Sequence, residues 1–107
     1  MAYEFVLIAS APDSDGGVTV RLIGDVAGAD AVELERRLRL LVDQGHTRLQ
    51  LDFGRVSRVE AAAFGRLARL HVDLLQRGGA LTLVDLPADV RQLLDASGRA
   101  GVFQIEG

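Results

Sequence analysis

Two histidines, a few hydroxyls and twelve arginines are the side chains with which this chain could do chemistry; it has no cysteine and no lysine. A thiolate nucleophile, a thiolate metal site and a Schiff-base lysine are therefore excluded. His46 lies among turn formers and His71 in the middle of an apolar helical stripe. Neither stands at a metal-ligand spacing from other donors. His71 reads as a core histidine, kept neutral by burial and satisfied by one hydrogen bond. None of the hydroxyls sits in a nucleophile elbow. Gly16-Gly17 falls in a turn and Gly78-Gly79 follows a helix instead of opening one, so neither pair builds a phosphate-cradling loop. The residues predict no catalytic group, no cofactor and no metal.

What remains is charge. Arg55, Arg58, Arg66 and Arg69 cluster along one stretch with Asp52 and Glu60 among them, a local excess of two positive charges. Such a patch can dock an acidic partner or a phosphate. It can equally be a solvated face on which Arg69, Asp73 and Arg77, at four-residue spacings, support their helix by about 0.2–0.5 kcal/mol per pair. The formal charge of the whole chain is −3. That balance offers no general attraction to nucleic acid, and no direct nucleic-acid partner is expected.

The elements that must position these residues centre on Leu49 to Leu75. Leu49, Leu51 and Phe53 alternate with Gln50 and Asp52, the period of a strand. A small loop follows, and after Glu60 the period lengthens to that of a helix. Phe64, Leu67, His71, Leu74 and Leu75 form its apolar side, with Arg66, Arg69, Asp73 and Arg77 opposite. Ala62 falls in the first turn on the wet side, where a helix presents unpaired N–H groups and the positive end of its dipole.

Before this unit, Tyr3 to Ala9 predicts a strand, and the turn formers from Ala11 to Gly17 lead into a second strand marked by Val18, Val20 and Leu22. A helix from Ala29 follows, with Ala31, Leu34, Leu38, Leu41 and Val42 as its stripe, Val32 and Leu40 off it, and Gly45 as its stop. After it, Ala80 to Val84 is a strand. Pro87 suits a first helical position ahead of Val90, Leu93 and Leu94, Ser97-Gly98 closes that helix, and Val102 to Ile105 is a final strand. The order ββαβαβα(β) implies an α/β fold, a mixed but mainly parallel sheet with helices packed on it. With 107 residues, 49% of them apolar, one domain spanning residues 1–107 is expected. No apolar run is long enough to cross a bilayer and the opening segment lacks a basic flank, so a cytoplasmic protein without membrane insertion is expected.

Phe53 to Leu67, with Gly24-Asp25-Val26 before and Leu94-Asp95-Ala96-Ser97-Gly98 after, resembles a STAS domain, the module of anti-sigma factor antagonists and of sulfate-transporter tails. The resemblance covers nearly the whole chain and implies a STAS-like fold and a regulatory, non-enzymatic protein. In that family the central loop reads Asp-Ser-Ser/Thr-Gly-Leu, and a partner kinase phosphorylates the second hydroxyl residue. The matching positions here are Glu60, Ala61, Ala62, Ala63 and Phe64, so Ala62 stands at the acceptor position and has no oxygen to modify. The family's first strand-end acid is kept as Asp25; its second, two residues on, is Ala27.

The resemblance therefore implies a protein held in the unphosphorylated, binding-competent condition. Its docking surface would comprise Asp25, Arg55, Ser57, Arg58, Glu60, Ala61, Ala62, Arg66 and Arg69. The implied partner is an anti-sigma factor or a similar serine-kinase-like protein, in transcription signalling. An alternative is a cytoplasmic STAS subunit of an ABC-type lipid or solute transporter, gripping the ATPase subunit through the same surface. A third is a ligand-sensing module with a nucleotide or lipid at the strand ends. The oligomeric state stays open, a dimer being compatible.

Overall fold

The computed structural model describes the backbone of residues 5–12 and 17–106 and the side chains of residues 17–106. The chain forms β1 (Phe5–Pro12), β2 (Val18–Val26), α1 (Ala29–Asp43), β3 (Arg48–Val59), α2 (Ala61–Gln76), β4 (Ala80–Val84), α3 (Ala88–Ala96) and β5 (Gln104–Glu106). This is the predicted ββαβαβα(β) order. The strands lie in one sheet in the order β1-β2-β3-β4-β5. β1 runs antiparallel to β2, and all later pairs are parallel. Because β2 to β5 follow one another in space as in sequence, crossovers of the usual right-handed sense all fall on one face. There α1 packs on β2 and α2, and α2 packs on β4 and α3.

That face is the core. Val18, Val20 and Leu22 of β2, Leu49, Leu51 and Phe53 of β3, and Leu81 and Leu83 of β4 are buried beneath Leu34, Leu38, Phe64, Leu67, Leu70 and Leu74 of the helices. Each such side chain contributes roughly 1.5–3 kcal/mol on leaving water. The opposite face is polar: Thr19 Oγ1 donates to Gln50 Oε1 at 3.5 Å, Thr82 Oγ1 donates to Gln104 Oε1 at 3.0 Å, and Arg21 meets Asp52 at 3.6 Å. The antiparallel β1–β2 pair joins the first two predicted strands, with Ala11 and Pro12, expected among the turn formers, belonging to β1; Tyr3 and residues 13–16 lie outside the described residues.

Several boundaries differ from expectation. The stretch after Phe53, expected as a loop, is the continuation of β3 to Val59. Two β-bulges against β2, one between Arg21 and Ile23 and one between Gly24 and Asp25, each insert a residue into β3. Its buried positions consequently run Leu49, Leu51, Phe53, then Val56 and Val59. The apolar period changes from two to three, which hides the strand from an alternation test. Asp52 Oδ1 accepts from the Gly54 N–H at 2.9 Å and fixes the first bulge. The last strand begins at Gln104, two residues late, because Phe103 turns into the core while Val102 stays 41% exposed. Pro87 is the residue before α3, not its first. Val32 and Leu40 are exposed, as their place off the stripe required.

In α2 the apolar side is rotated from the predicted one. Ala63 and Leu70 join Phe64, Leu67, His71 and Leu74 in the core, while Leu75 is 51% exposed. Nor does Asp73 pair along its own helix: its Oδ2 accepts from Arg39 Nη1 of α1 at 3.0 Å. The helix ends at Gly78 in the left-handed region, φ 79°. Gly79 serves a separate purpose, since a Cβ there would lie 1.9 Å from the Thr47 carbonyl oxygen. The chain thus returns to the sheet by brushing directly past the start of β3.

His71 is 3% exposed, and its Nδ1 accepts from the Leu81 N–H at 3.0 Å, tying α2 to β4. The ring lies 5.9 Å from that of Phe103. Burial pushes its pKa below the ordinary 6.5, opposed by a hydrogen bond with the Val102 backbone. The folded state then binds fewer protons than the unfolded chain. His71 contributes its full stability above about pH 6.5 and loses it as pH falls from there towards the lowered folded value. Urea midpoints are expected to fall between about pH 7.5 and pH 5.5. His71→Leu should flatten that dependence while costing about 1–3 kcal/mol, since it leaves the Leu81 N–H unpaired. A slope that survives in His71→Leu would assign the effect to another group.

Candidate functional site

The ends of β2 and β3 and the starts of α1 and α2 meet at one corner, and the pieces are clasped by Glu60. This residue precedes α2 with φ −80° and ψ 145°, so its carboxylate is placed where an N-cap could form, yet no side-chain cap hydrogen bond is made to α2. Its Oε1 instead accepts from the Gly28 N–H at 2.6 Å, and its own N–H donates to the Val26 carbonyl at 3.0 Å. Gly28 precedes α1 with φ 52°, a left-handed conformation that glycine adopts without a Cβ penalty. One exposed carboxylate thereby joins two helix starts, and its charge is favourable beside both positive dipole ends.

The predicted surface is partly assembled there. Asp25, Arg55, Ser57, Arg58, Glu60, Ala61 and Ala62 are all exposed. Asp25 is in register with Arg58 across the β2–β3 pair, and Ser57 is the residue that the second bulge extrudes. Ala61 and Ala62 form the outer side of the first turn of α2, and Ala63 and Phe64 anchor that turn beneath at 2% and 0% exposure. The bulges and the clasp bring these residues to one end of the sheet.

Arg66 and Arg69 stand further along α2 and differ in their bonding. Arg66 Nη1 donates to Glu35 Oε1 of α1 at 3.0 Å, and Glu35 Oε2 accepts from Arg39 Nε at 3.2 Å. With the Arg39–Asp73 pair this makes a chain of four charges between α1 and α2. Burial raises the Glu35 pKa, but the hydrogen bonds from Arg66 and Arg39 outweigh it and hold the carboxyl below its ordinary range. Arg69 is exposed and, among the described residues, has no carboxylate within ion-pair distance.

Sequence reasoning missed Gly28, Glu35 and Arg99, which take part in or border this surface. The signal for Glu35 was available: consecutive right-handed crossovers lay α1 beside α2, so acids on α1 could have been matched against arginines on α2. No comparable signal marks Arg99, whose place depends on the path of the chain after α3. Among the described residues no group of histidine, aspartate and glutamate side chains could hold a metal ion. No helix there is long and apolar enough to cross a membrane.

Residues 10–104 match a family model described as "Mlab, STAS domain". BtrV of Bordetella bronchiseptica, whose name places it among the anti-sigma factor antagonists, is 33% identical over 91 residues, covering 85% of this chain and 78% of its own length. The unphosphorylated form of the anti-sigma factor antagonist SpoIIAA superposes with a TM-score of 0.74 at 17% identity, covering 97% of this chain and 87% of that one. TM1081 of Thermotoga maritima gives a TM-score of 0.79 at 13% identity, covering 98% and 84%. At such identities the two structures establish a shared fold and nothing finer.

Proposed function

Because the chain belongs to the STAS domain family and resembles anti-sigma factor antagonists, we propose that it is a non-enzymatic regulator that docks a kinase-like anti-sigma factor and that no kinase can switch at Ala62. The observation that carries this reading is the corner itself. Ala61 and Ala62 sit exposed at the first turn of α2, beside the clasped ends of β2 and β3, with no oxygen on either side chain. A phosphate there would add about −1.5 to −2 charges to the surface and repel an acidic or closely packed partner. Methyl groups leave it permanently receptive. Binding then depends on the partner's availability, not on a covalent mark.

Two measurements test this together. Affinity capture on the wild-type chain, with the bound protein identified by mass spectrometry, is expected to retain a protein of the kinase-like ATPase fold; retention of an ABC transporter ATPase would instead favour the transporter reading. Incubation of the purified pair with ATP, followed by intact-mass measurement, is expected to show no added phosphate. Ser57 is the nearby hydroxyl that could answer differently, being exposed between Arg55 and Arg58. Phosphate on Ser57, lost in Ser57→Ala, defeats the claim that this surface is unswitchable.

A further inference from the structure

Beyond the alanine corner, the outer face of α2 carries a groove with a floor of Ala62, Gly65 and Ala68 and walls of Arg66, Arg69 and Arg99. The arginine from the segment after α3 lies over Gly65: its Nη2 is 3.5 Å from where a Cβ at that residue would stand, the spacing of ordinary van der Waals contact. The three guanidiniums are not equivalent. Arg66 is compensated by Glu35. Among the described residues Arg69 and Arg99 have no carboxylate within ion-pair distance. A chain of formal charge −3 thus keeps two uncompensated guanidiniums lining one groove on the face that the proposed function needs, each a planar fork of donors suited to carboxylates.

We propose that this groove receives a carboxylate-bearing segment of the protein partner, with Arg69 and Arg99 as its anchors and Glu35 as an internal competitor that holds Arg66 in reserve. The inference rests on the reading of the α2 face as the docking surface and names the chemistry of what docks there. The groove continues past Ala68 and Arg69 to Val72 and Val102, which are 46% and 41% exposed. That stretch also holds Arg39, Glu35 and Asp73, whose charges are spent on one another and on Arg66. The unpaired positive charge therefore lies at Arg69 and Arg99 and the apolar ground at Val72 and Val102, which fits a peptide segment carrying an acidic side chain beside aliphatic ones. It lacks the polybasic character by which a protein is drawn to an anionic bilayer.

The test uses the full chain and a synthetic peptide of glutamate and leucine as probe, read by NMR on the arginine Nε–H signals. Saturable shifts are expected at Arg69 and Arg99, with a midpoint that rises with added sodium chloride. The double variant Arg69→Gln/Arg99→Gln should weaken binding by about fivefold or more. Glu35→Gln, which frees Arg66, should tighten it, and circular dichroism confirms that each variant is folded. Absence of shifts in the wild-type chain overturns the inference, as does saturation of the same signals by inorganic phosphate at lower concentration than by peptide. So does arginine-dependent co-sedimentation with phosphatidylglycerol vesicles. A kinase-fold partner that binds the double variant with undiminished affinity also overturns it and leaves the docking function intact. Peptide binding at Arg69 and Arg99 without any kinase-fold partner has the reverse meaning.

Discussion

Phe64→Ala is expected to destabilise the protein by about 3–5 kcal/mol, the usual cost of deleting a fully buried aromatic ring and leaving a cavity. A domain of this size has only about 5–15 kcal/mol in total, so the variant is expected to be partly unfolded near physiological temperature. The ring is 0% exposed and belongs to the first turn of α2, directly beneath the exposed Ala61 and Ala62. Its loss therefore acts on the site as well as on the core, leaving that turn held by the small Ala63 and by the Glu60–Gly28 hydrogen bond. Urea unfolding supplies the measurement, with Leu75→Ala as the paired control. Leu75 is 51% exposed, and its truncation is expected to stay within about 0.5 kcal/mol. Equal costs for the two would mean that α2 is rotated on the sheet, and the alanine corner with it.

Ala62→Glu is expected to separate folding from binding. In the first turn of α2 a carboxylate meets the positive dipole end, worth about 0.3–1 kcal/mol, and stands four residues before Arg66, worth about 0.2–0.5 kcal/mol more. The melting temperature should hold or rise slightly. Affinity for the proposed kinase-fold partner should nonetheless fall by at least about tenfold, or 1.4 kcal/mol, because the new charge would sit on the proposed docking surface and repel the acidic segment proposed to bind there. Calorimetric titration against the captured partner decides it. Unchanged affinity would place the interface elsewhere on the molecule.

Much of the fold was legible because its signals are local. Val18, Val20 and Leu22 alternate, Leu34, Leu38 and Val42 recur at helical spacing, and glycines stand where helices must stop; all of these act within a few residues of chain. The wet placement of Ala62 followed from the same helical wheel. The STAS resemblance rested on short local motifs, Gly24 to Val26, Phe53 to Leu67 and Leu94 to Gly98, and on their order along nearly the whole chain. Local pattern failed where two strands had to accommodate each other. The bulges in β3 exist only as a mismatch with β2, so Val56 and Val59 carried no alternation by which to recognise a strand.

Periodicity and glycine placement alone determined the element order, the buried faces of β2 and α1, and an alanine at the outer side of the first turn of α2. Only the tertiary structure decided that Asp73 pairs with Arg39 instead of a neighbour on its own helix, that Glu60 reaches across to Gly28, and that Arg99 joins Arg66 and Arg69 around one groove. The physical reason is range. A hydrophobic period is set by backbone geometry that every residue shares, whereas a hydrogen bond or ion pair between residues some thirty positions apart depends on how strands register and how helices lie across them.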